Sequence, residues 1–284
     1  MDRLGRYVSD DDLAYEPFRE RGWAVEAVPW RRPDVDWDRY EAVVIRSTWD
    51  YHKDPQAFLA VLEGIDRSRA RLANPLSLVR WNLRKTYLRD LAARGIPIVP
   101  THWGQGLEAA ALTKLFDVLQ TEDLVVKPVV SASAGDTFRL RRGDAEGMAG
   151  TLEAIFRERA YMAQPFMPQM VEEGEYSLFY FGGVQSHTVQ KVPKAGDFRV
   201  QEEHGAVIQA VAASAALAAW GRRVVQAVTP PPLYARVDGV RDAAGGFALM
   251  ELELIEPALY LRKDPGAARR FARAFDAWMA EGLV

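Results

Sequence analysis

Two short runs in the C-terminal part of the chain gather carboxylates: Tyr234-Ala-Arg-Val-Asp238 and, beginning twelve residues later, Met250-Glu-Leu-Glu-Leu-Ile-Glu256-Pro257. On a β-strand the side chains alternate, so Glu251 and Glu253 share one face while Met250, Leu252 and Leu254 take the other. Parallel carboxylates repel, so a cation is expected between them, and a hard divalent ion with oxygen ligands is the simplest choice. An antiparallel strand with a solvated acidic face would carry the same pattern. The residues upstream favour the first reading, because Lys85, Lys127, a loop of small residues and Arg199 form a set suited to a nucleotide triphosphate.

Lys127 ends the apolar run Leu124-Val-Val-Lys-Pro128, where a charge is costly without an anionic partner. The loop that follows, Ser131-Ala-Ser-Ala-Gly135, has residues small enough for backbone N–H groups to approach phosphate oxygens, although a plain hairpin turn reads the same way. Lys85 falls in a predicted helix and would pass for a surface lysine without this context. Gln164-Pro165-Phe166 offers an extended segment before a loop with Glu172, Glu173 and Glu175, fitting an adenine hinge with an acid for the ribose, or a solvated acidic turn. The polar, glycine-punctuated stretch from Lys191 to Gly205 reads as a functional loop in which Arg199 supplies a planar fork for phosphate and Lys191 a point charge at its base. Arg46, Ser47 and Asp50 follow a predicted strand, the place where parallel sheets hold ligands, so Arg46 is a candidate clamp for a substrate carboxylate. In the competing reading, Trp49 and Tyr51 simply pack beneath a capping Asp50.

The elements that must position these groups follow from periodicity. A helix over 11–22, strands at Trp23–Pro29 and Tyr40–Ile45, and a helix near Pro55–Ile65 give a β-α-β rhythm. This predicts a small Rossmann-like lobe over 1–75. Such a lobe usually opens on a strand, whereas Met1 is followed at once by polar residues, so the first strand is expected to be missing or to lie upstream of the recorded start. A helix over 76–95, an extended Ile96–Thr101, a helix over 107–119, strands at Asp123–Val130 and Thr137–Arg141 and a helix over 144–158 make a second lobe, drawn as 76–163. The third, 164–284, contains a hairpin about Gly182-Gly183, a helix near 206–228 and the acidic strands. The mixed order makes these two lobes α+β within an α/β chain.

Composition sets outer limits. The 284 residues are 49% hydrophobic and 26% charged, as in ordinary globular proteins. A net charge of −3 gives no electrostatic reason to expect nucleic acid. Zero cysteines exclude disulfides and thiolate metal sites, four histidines without paired spacing show no zinc site, and no segment reads as a membrane span or apolar leader, so a cytoplasmic location is expected.

In this order, Lys85, Val-Lys-Pro with its small-residue loop, Gln-Pro-Phe, the Lys191–Gly205 loop, Asp238 and Glu-Leu-Glu resemble the ATP-grasp superfamily, most nearly its glutathione synthetase-like branch. Asn74-Pro-Leu-Ser-Leu78 with Asn82 and Lys85 looks like the start of that family's central lobe. Arg-Ser-Thr-Trp-Asp-Tyr, Gly-Asp-Phe-Arg-Val-Gln and Met-Glu-Leu-Glu-Leu-Ile-Glu-Pro resemble the subgroup that includes the ATP-dependent cyclo-ligase of cycloserine biosynthesis. The resemblance implies three lobes with nucleotide between the second and third, and ATP contacts from Lys85, Lys127, Ser133, Gly135, Gln164, Pro165, Phe166, Glu175 and Met250. It also implies Mg2+ or Mn2+ on Asp238, Glu251 and Glu253, the last of which is asparagine in many relatives. The implied reaction is carboxylate–amine ligation through an acyl phosphate, with small-molecule carboxylate and amine substrates and with Arg199 and Lys191 countering charge on the transferred phosphoryl group. Family relatives are commonly homo-oligomers, and a lobe without its first strand would leave a sheet edge for a second subunit. The rival readings are a nucleotide-binding protein of the same fold without ligase activity, and a kinase acting on a hydroxyl.

Overall fold

The computed structural model describes residues 1, 4–5, 7–132 and 134–281. Its strands form three sheets. In the first, β1 (Ala42–Val44) pairs in parallel with β2 (Arg71–Ala73). The short α1 (Tyr15–Arg19) precedes them, and α2 (Pro55–Asp66) makes the crossover. Asp54 starts α2 by accepting from Ala57 N–H at 3.0 Å, with Pro55 in the first turn, where its missing N–H costs nothing. No ladder forms over Trp23–Pro29, contrary to the sequence expectation. That segment is exposed from Ala24 to Ala27, and Trp23 instead anchors it on α9 (Ala267–Glu281), donating to Asp276 at 2.7 Å and packing edge-on against Phe275.

The expected helix over 76–95 is two helices, α3 (Leu76–Asn82) and α4 (Tyr87–Ala93). The break arises because Lys85 N–H donates to the Val129 carbonyl at 2.9 Å, a long-range bond that an uninterrupted helix would forbid. The second sheet is antiparallel with order β3-β6-β4-β5: β3 (His102–Gln105), β4 (Asp123–Pro128), β5 (Phe138–Arg141) and β6 (Ala160–Pro165). Helices α5 (Ala109–Leu119) and α6 (Ala145–Phe156) cover it, burying Leu112, Phe116, Leu152 and Phe156 on Leu124 and Val126. A boundary at 163/164 would fall inside β6.

After the one-turn α7 (Gln169–Glu172), the third sheet has order β11-β10-β7-β8-β9, again antiparallel. Its strands are β7 (Glu175–Phe181), β8 (Val184–Val192), β9 (Val207–Ala210), β10 (Tyr234–Arg241) and β11 (Phe247–Glu253). The β7–β8 turn is made by Gly182 and Gly183, both with positive φ, as the tight hairpin requires. The helix expected near 206–228 is instead β9 followed by α8 (Ala215–Gln226), capped by Ser214. One face of this sheet packs on α8 and α4 through Leu178, Tyr180, Val237 and Leu252. On the other face each strand changes character along its length. Phe181 and Phe179 lie beneath α9 and are followed at period two by Ser177 and Glu175; Val189 is followed by Lys191, and Tyr234 by Arg236 and Asp238. Where helix cover ends, the sheet face becomes charged. Among the described residues no helix is long and apolar enough to cross a membrane.

His187 lies in the covered half, stacked on Phe179 at 4.2 Å with Nε2 2.9 Å from the Leu259 carbonyl. Burial lowers its pKa to about 4, against the pull of that hydrogen bond. A histidine kept neutral in the fold, but titrating normally once unfolded, adds stability that is complete above about pH 6.5 and is lost as the pH falls toward 4. The loss across that window is about 3 kcal/mol. His187→Gln is expected to flatten it, read as the difference between wild-type and variant urea unfolding at pH 4.5 and 7; identical pH profiles would contradict this.

Candidate active site

One cavity runs between the second and third sheets, lined from β4, β6, β10, β11 and the loop after β8. Its floor is the charged half of the third sheet. Register places Asp238 opposite Glu251 and Arg236 opposite Glu253. A bulge between Asp238 and Gly239 re-aims the strand there, and only glycine fits, since a Cβ at 239 would lie 2.2 Å from the Trp220 ring.

Position in β11 is fixed by groups outside the sheet. Asn82 donates to the Leu252 carbonyl at 2.8 Å and accepts from Leu254 N–H at 2.9 Å, while Tyr87 Oη accepts from Leu252 N–H at 2.8 Å. Asn74 donates to the Tyr234 and Leu254 carbonyls at 2.9 and 2.8 Å, locking β10 to the chain beyond β11. Leu252 is thus held inward, and Glu251 and Glu253 face the cavity.

The cation between the carboxylates is supplied by the chain itself. Arg236 grips both Asp238 oxygens, with Nη2 to Oδ2 at 2.8 Å, and also reaches Glu253. Lys191 is buried against Glu175, with Asp238 3.5 Å away. Lys85 bonds Glu251 at 2.6 Å and the Ser131 carbonyl at 3.1 Å. Burial alone would raise the Asp238 pKa, but Arg236 and then Lys191 outweigh it and hold the carboxyl at about 2. Burial likewise works against the charge on Lys85, and Glu251 overrides it. Glu253 goes the other way: burial raises it, with Glu251 and Asp238 adding to the effect against Arg236.

Among the described residues no group of three or more His, Cys, Asp or Glu side chains is arranged to hold a metal ion. Asp238, Glu251 and Glu253, the expected metal ligands, are instead held in ion pairs with Arg236, Lys191 and Lys85. Glu251 and Glu253 nevertheless keep 31% and 23% of their side chains exposed in the cavity, and these hard oxygen donors fit Mg2+ or Mn2+.

Lys127 lies in the same cavity, half-buried, and its ammonium has no hydrogen bond or ion pair with any described residue. Burial lowers its pKa, only partly countered by Glu251. The residues of the expected adenine hinge gather beyond it. Val125, Gln164, Pro165, Phe166, Met167 and Met250 line an apolar end of the cavity, over which the ring of Phe198 meets Phe166 edge-on. Gln164 is buried with its amide on Thr101 at 2.9 Å, and Phe166 N–H already donates to Asp123 O at 2.8 Å.

Arg199 lines the cavity from the loop after β8, held by Asp197 with Nη2 to Oδ2 at 2.7 Å. Ser131, Ala132, Ala134 and Thr137 bring the small-residue loop to the rim, while Gly135 is not part of the lining and Ser133 lies outside the described residues. Glu175, expected at the ribose, lines the cavity but is tied to Lys191. Arg46, Ser47 and Asp50 are not brought to the cavity. Arg46 and Ser47 are engaged with Asp11, Arg46 also donates to Pro257 O at 2.6 Å, and Asp50 holds Trp30 Nε1 at 2.8 Å and Arg31. Their neighbours Trp49 and Tyr51 do line it. Sequence reasoning missed Arg236 as a site residue, although its position two before Asp238 puts it on the same strand face.

A family model described as D-cycloserine synthetase DcsG, N-terminal domain, matches residues 1–74. The cycloserine biosynthesis protein DcsG of Streptomyces lavendulae is 35% identical over 274 residues, spanning 91% of this chain and 90% of that protein. The crystal structure of D-cycloserine synthetase DcsG superposes with a TM-score of 0.86 at 32% identity, over 95% of this chain and 94% of the other. The ATP-grasp ligase PsnB, solved with a phosphomimetic variant of its minimal precursor, Mg and ADP, shares the fold with a TM-score of 0.66 at 18% identity, over 95% and 96% of the two chains.

Proposed function

Because this chain belongs to the ATP-grasp ligases, in the family of D-cycloserine synthetase DcsG, we propose that it activates a small amino-acid-like carboxylate with ATP and joins it to an amine, forming an amide or a ring. The observation that carries this reading is Lys127, a half-buried cation whose side chain has no partner among the described residues, in one cavity with Lys85, Arg199 and the acidic row of β11. A polyphosphate is the ligand that satisfies it.

In this account adenine enters the apolar slot beside Phe166 and Met250, and Lys85 and Lys127 take the phosphates. Bound to Glu251 and Glu253, with Asp238 behind them, Mg2+ would neutralise phosphate charge. The substrate carboxylate oxygen attacks the γ-phosphorus in line; an O–P bond forms as the β–γ bridge breaks, releasing ADP. The amine nitrogen then attacks the acyl carbon, a C–N bond forms, phosphate leaves, and the surplus proton passes to phosphate or water. The chain contributes position and charge: Arg199 exchanges Asp197 for the transferred phosphoryl group, and Arg236 and Lys191 hold Asp238 in place. The loops bearing Arg199 and Ser131 close over the phosphates and exclude water, which would otherwise hydrolyse the acyl phosphate.

Incubation with ATP, Mg2+ and a panel of amino acids tests the reading. Carboxylate-dependent ADP release, with exchange of isotope between the β–γ bridge and the β-nonbridging oxygens of ATP, is the expected result; a stable phosphorylated hydroxyl product, or binding without turnover, would contradict it. Lys127→Met is expected to weaken ADP binding about 10- to 100-fold, while the nucleotide-free protein melts at the same temperature or higher, because the variant removes a desolvated charge that makes no hydrogen bond or ion pair with a described residue. Calorimetry and thermal melts read the two effects, and a lowered melting temperature with unchanged affinity would contradict the assignment.

A further inference from the structure

The turn after β11 carries a carboxylate that the phosphate chemistry leaves unused. Glu256 is 7% exposed and lines the cavity, yet its side chain has no hydrogen bond or ion pair with any described residue. The cations that act on it are committed elsewhere, Lys85 to Glu251 and the Ser131 carbonyl, Arg236 to Asp238 and Glu253. Its backbone is fixed, since Trp49 Nε1 donates to the Glu256 carbonyl at 2.8 Å. Burial, and then the charge of Glu253, push its carboxyl well above the usual range. Aromatic rings surround this part of the cavity: Trp49 packs on Tyr7 with centroids 5.4 Å apart, and Tyr51, which feels the Glu256 charge, completes the lining. A buried carboxylate beside aromatic faces is suited to a cation, and an ammonium supplies both the charge and the hydrogen bonds that Glu256 lacks.

We infer that Glu256 is the recognition group for the ammonium of an amino-acid substrate, held among the rings of Tyr7, Trp49 and Tyr51, with the carboxylate end of that substrate turned toward the phosphates. This rests on the ligase reading for the role of the substrate, and it adds what selects that substrate. The expectation is that amino acids are taken and their desamino analogues refused: alanine but not propionate, serine but not 3-hydroxypropionate, in either enantiomeric series.

The test measures binding and turnover separately. Wild-type protein loaded with ADP and Mg2+ is titrated calorimetrically with a panel of D- and L-amino acids and the matched desamino acids, and the same compounds are assayed for ADP release from ATP. The expected result is that Glu256→Gln weakens amino-acid binding about 10- to 100-fold, with kcat and the KM for ATP little changed, while the weak binding of desamino acids is untouched. Glu256→Asp is expected to recover part of the preference. A Glu256→Gln protein that melts no lower than wild type shows that the loss is not a folding defect. Equal weakening of amino and desamino acids, a raised KM for ATP or Mg2+ in place of the amino-acid effect, or wild-type protein that binds none of the amino acids would overturn the assignment. Selective amino-acid binding without ADP release would instead sink the ligase reading and leave the ammonium site standing.

Discussion

Arg199→Ala is expected to lower turnover about 10³-fold and to leave the dissociation constant for ADP within a few-fold of wild type. The side chain is half-exposed, lines the cavity, and is already paired in a two-pronged contact with Asp197, so its fork is oriented before any ligand arrives. Exchanging one carboxylate for the oxygens of a transferring phosphoryl group keeps the same bidentate geometry. The gain appears where charge accumulates, in the transition state, which is why the loss falls on kcat rather than on ground-state affinity. Steady-state ADP release and calorimetry on the same preparation separate the two. Equal losses in both would assign Arg199 to binding alone.

Asp238→Ala is expected to destabilise the nucleotide-free protein by about 3–5 kcal/mol and to abolish activity. Asp238 is 2% exposed and is the point on which Arg236, Lys191 and Ser177 converge. Removing it strands two buried cations; among the described residues Arg236 then keeps only Glu253 and Lys191 only Glu175 as ionic partners. Breaking one side of such a network costs far more than the intact network contributes. Urea unfolding of wild type, Asp238→Ala and the double variant Asp238→Ala/Arg236→Met reads the effect, and the double variant is expected to recover part of the lost stability. A single variant within 1 kcal/mol of wild type would show that the network is not buried in solution.

Much of this arrangement was legible in the chain because it depends on period and order. Alternation placed Glu251 and Glu253 on one face, the paired glycines marked the β7–β8 turn, and the apolar run ending in Lys127 identified a cation short of a partner. What escaped depends on contacts between distant segments. The Lys85 break comes from the Val129 carbonyl, and the isolated run Trp23–Pro29 is settled on α9 by Asp276 and Phe275. The spacing of Arg46, Ser47 and Asp50 after a strand indicated a ligand site but did not reveal that Asp11, Pro257 and Trp30 already engage them. Arg236 is a different kind of omission. Its alternation with Asp238 is readable in the chain and puts a cation on the same strand face as the carboxylates.

The most direct test of the central claim is a crystal of the protein with ADP and Mn2+, measured at the manganese edge. The account requires an anomalous peak within coordination distance of Glu251 and Glu253, with nucleotide phosphates on Lys85 and Lys127 and the Lys85–Glu251 pair opened. Nucleotide bound elsewhere, or bound in this cavity with Lys85 still on Glu251 and no manganese beside the acidic row, would contradict it.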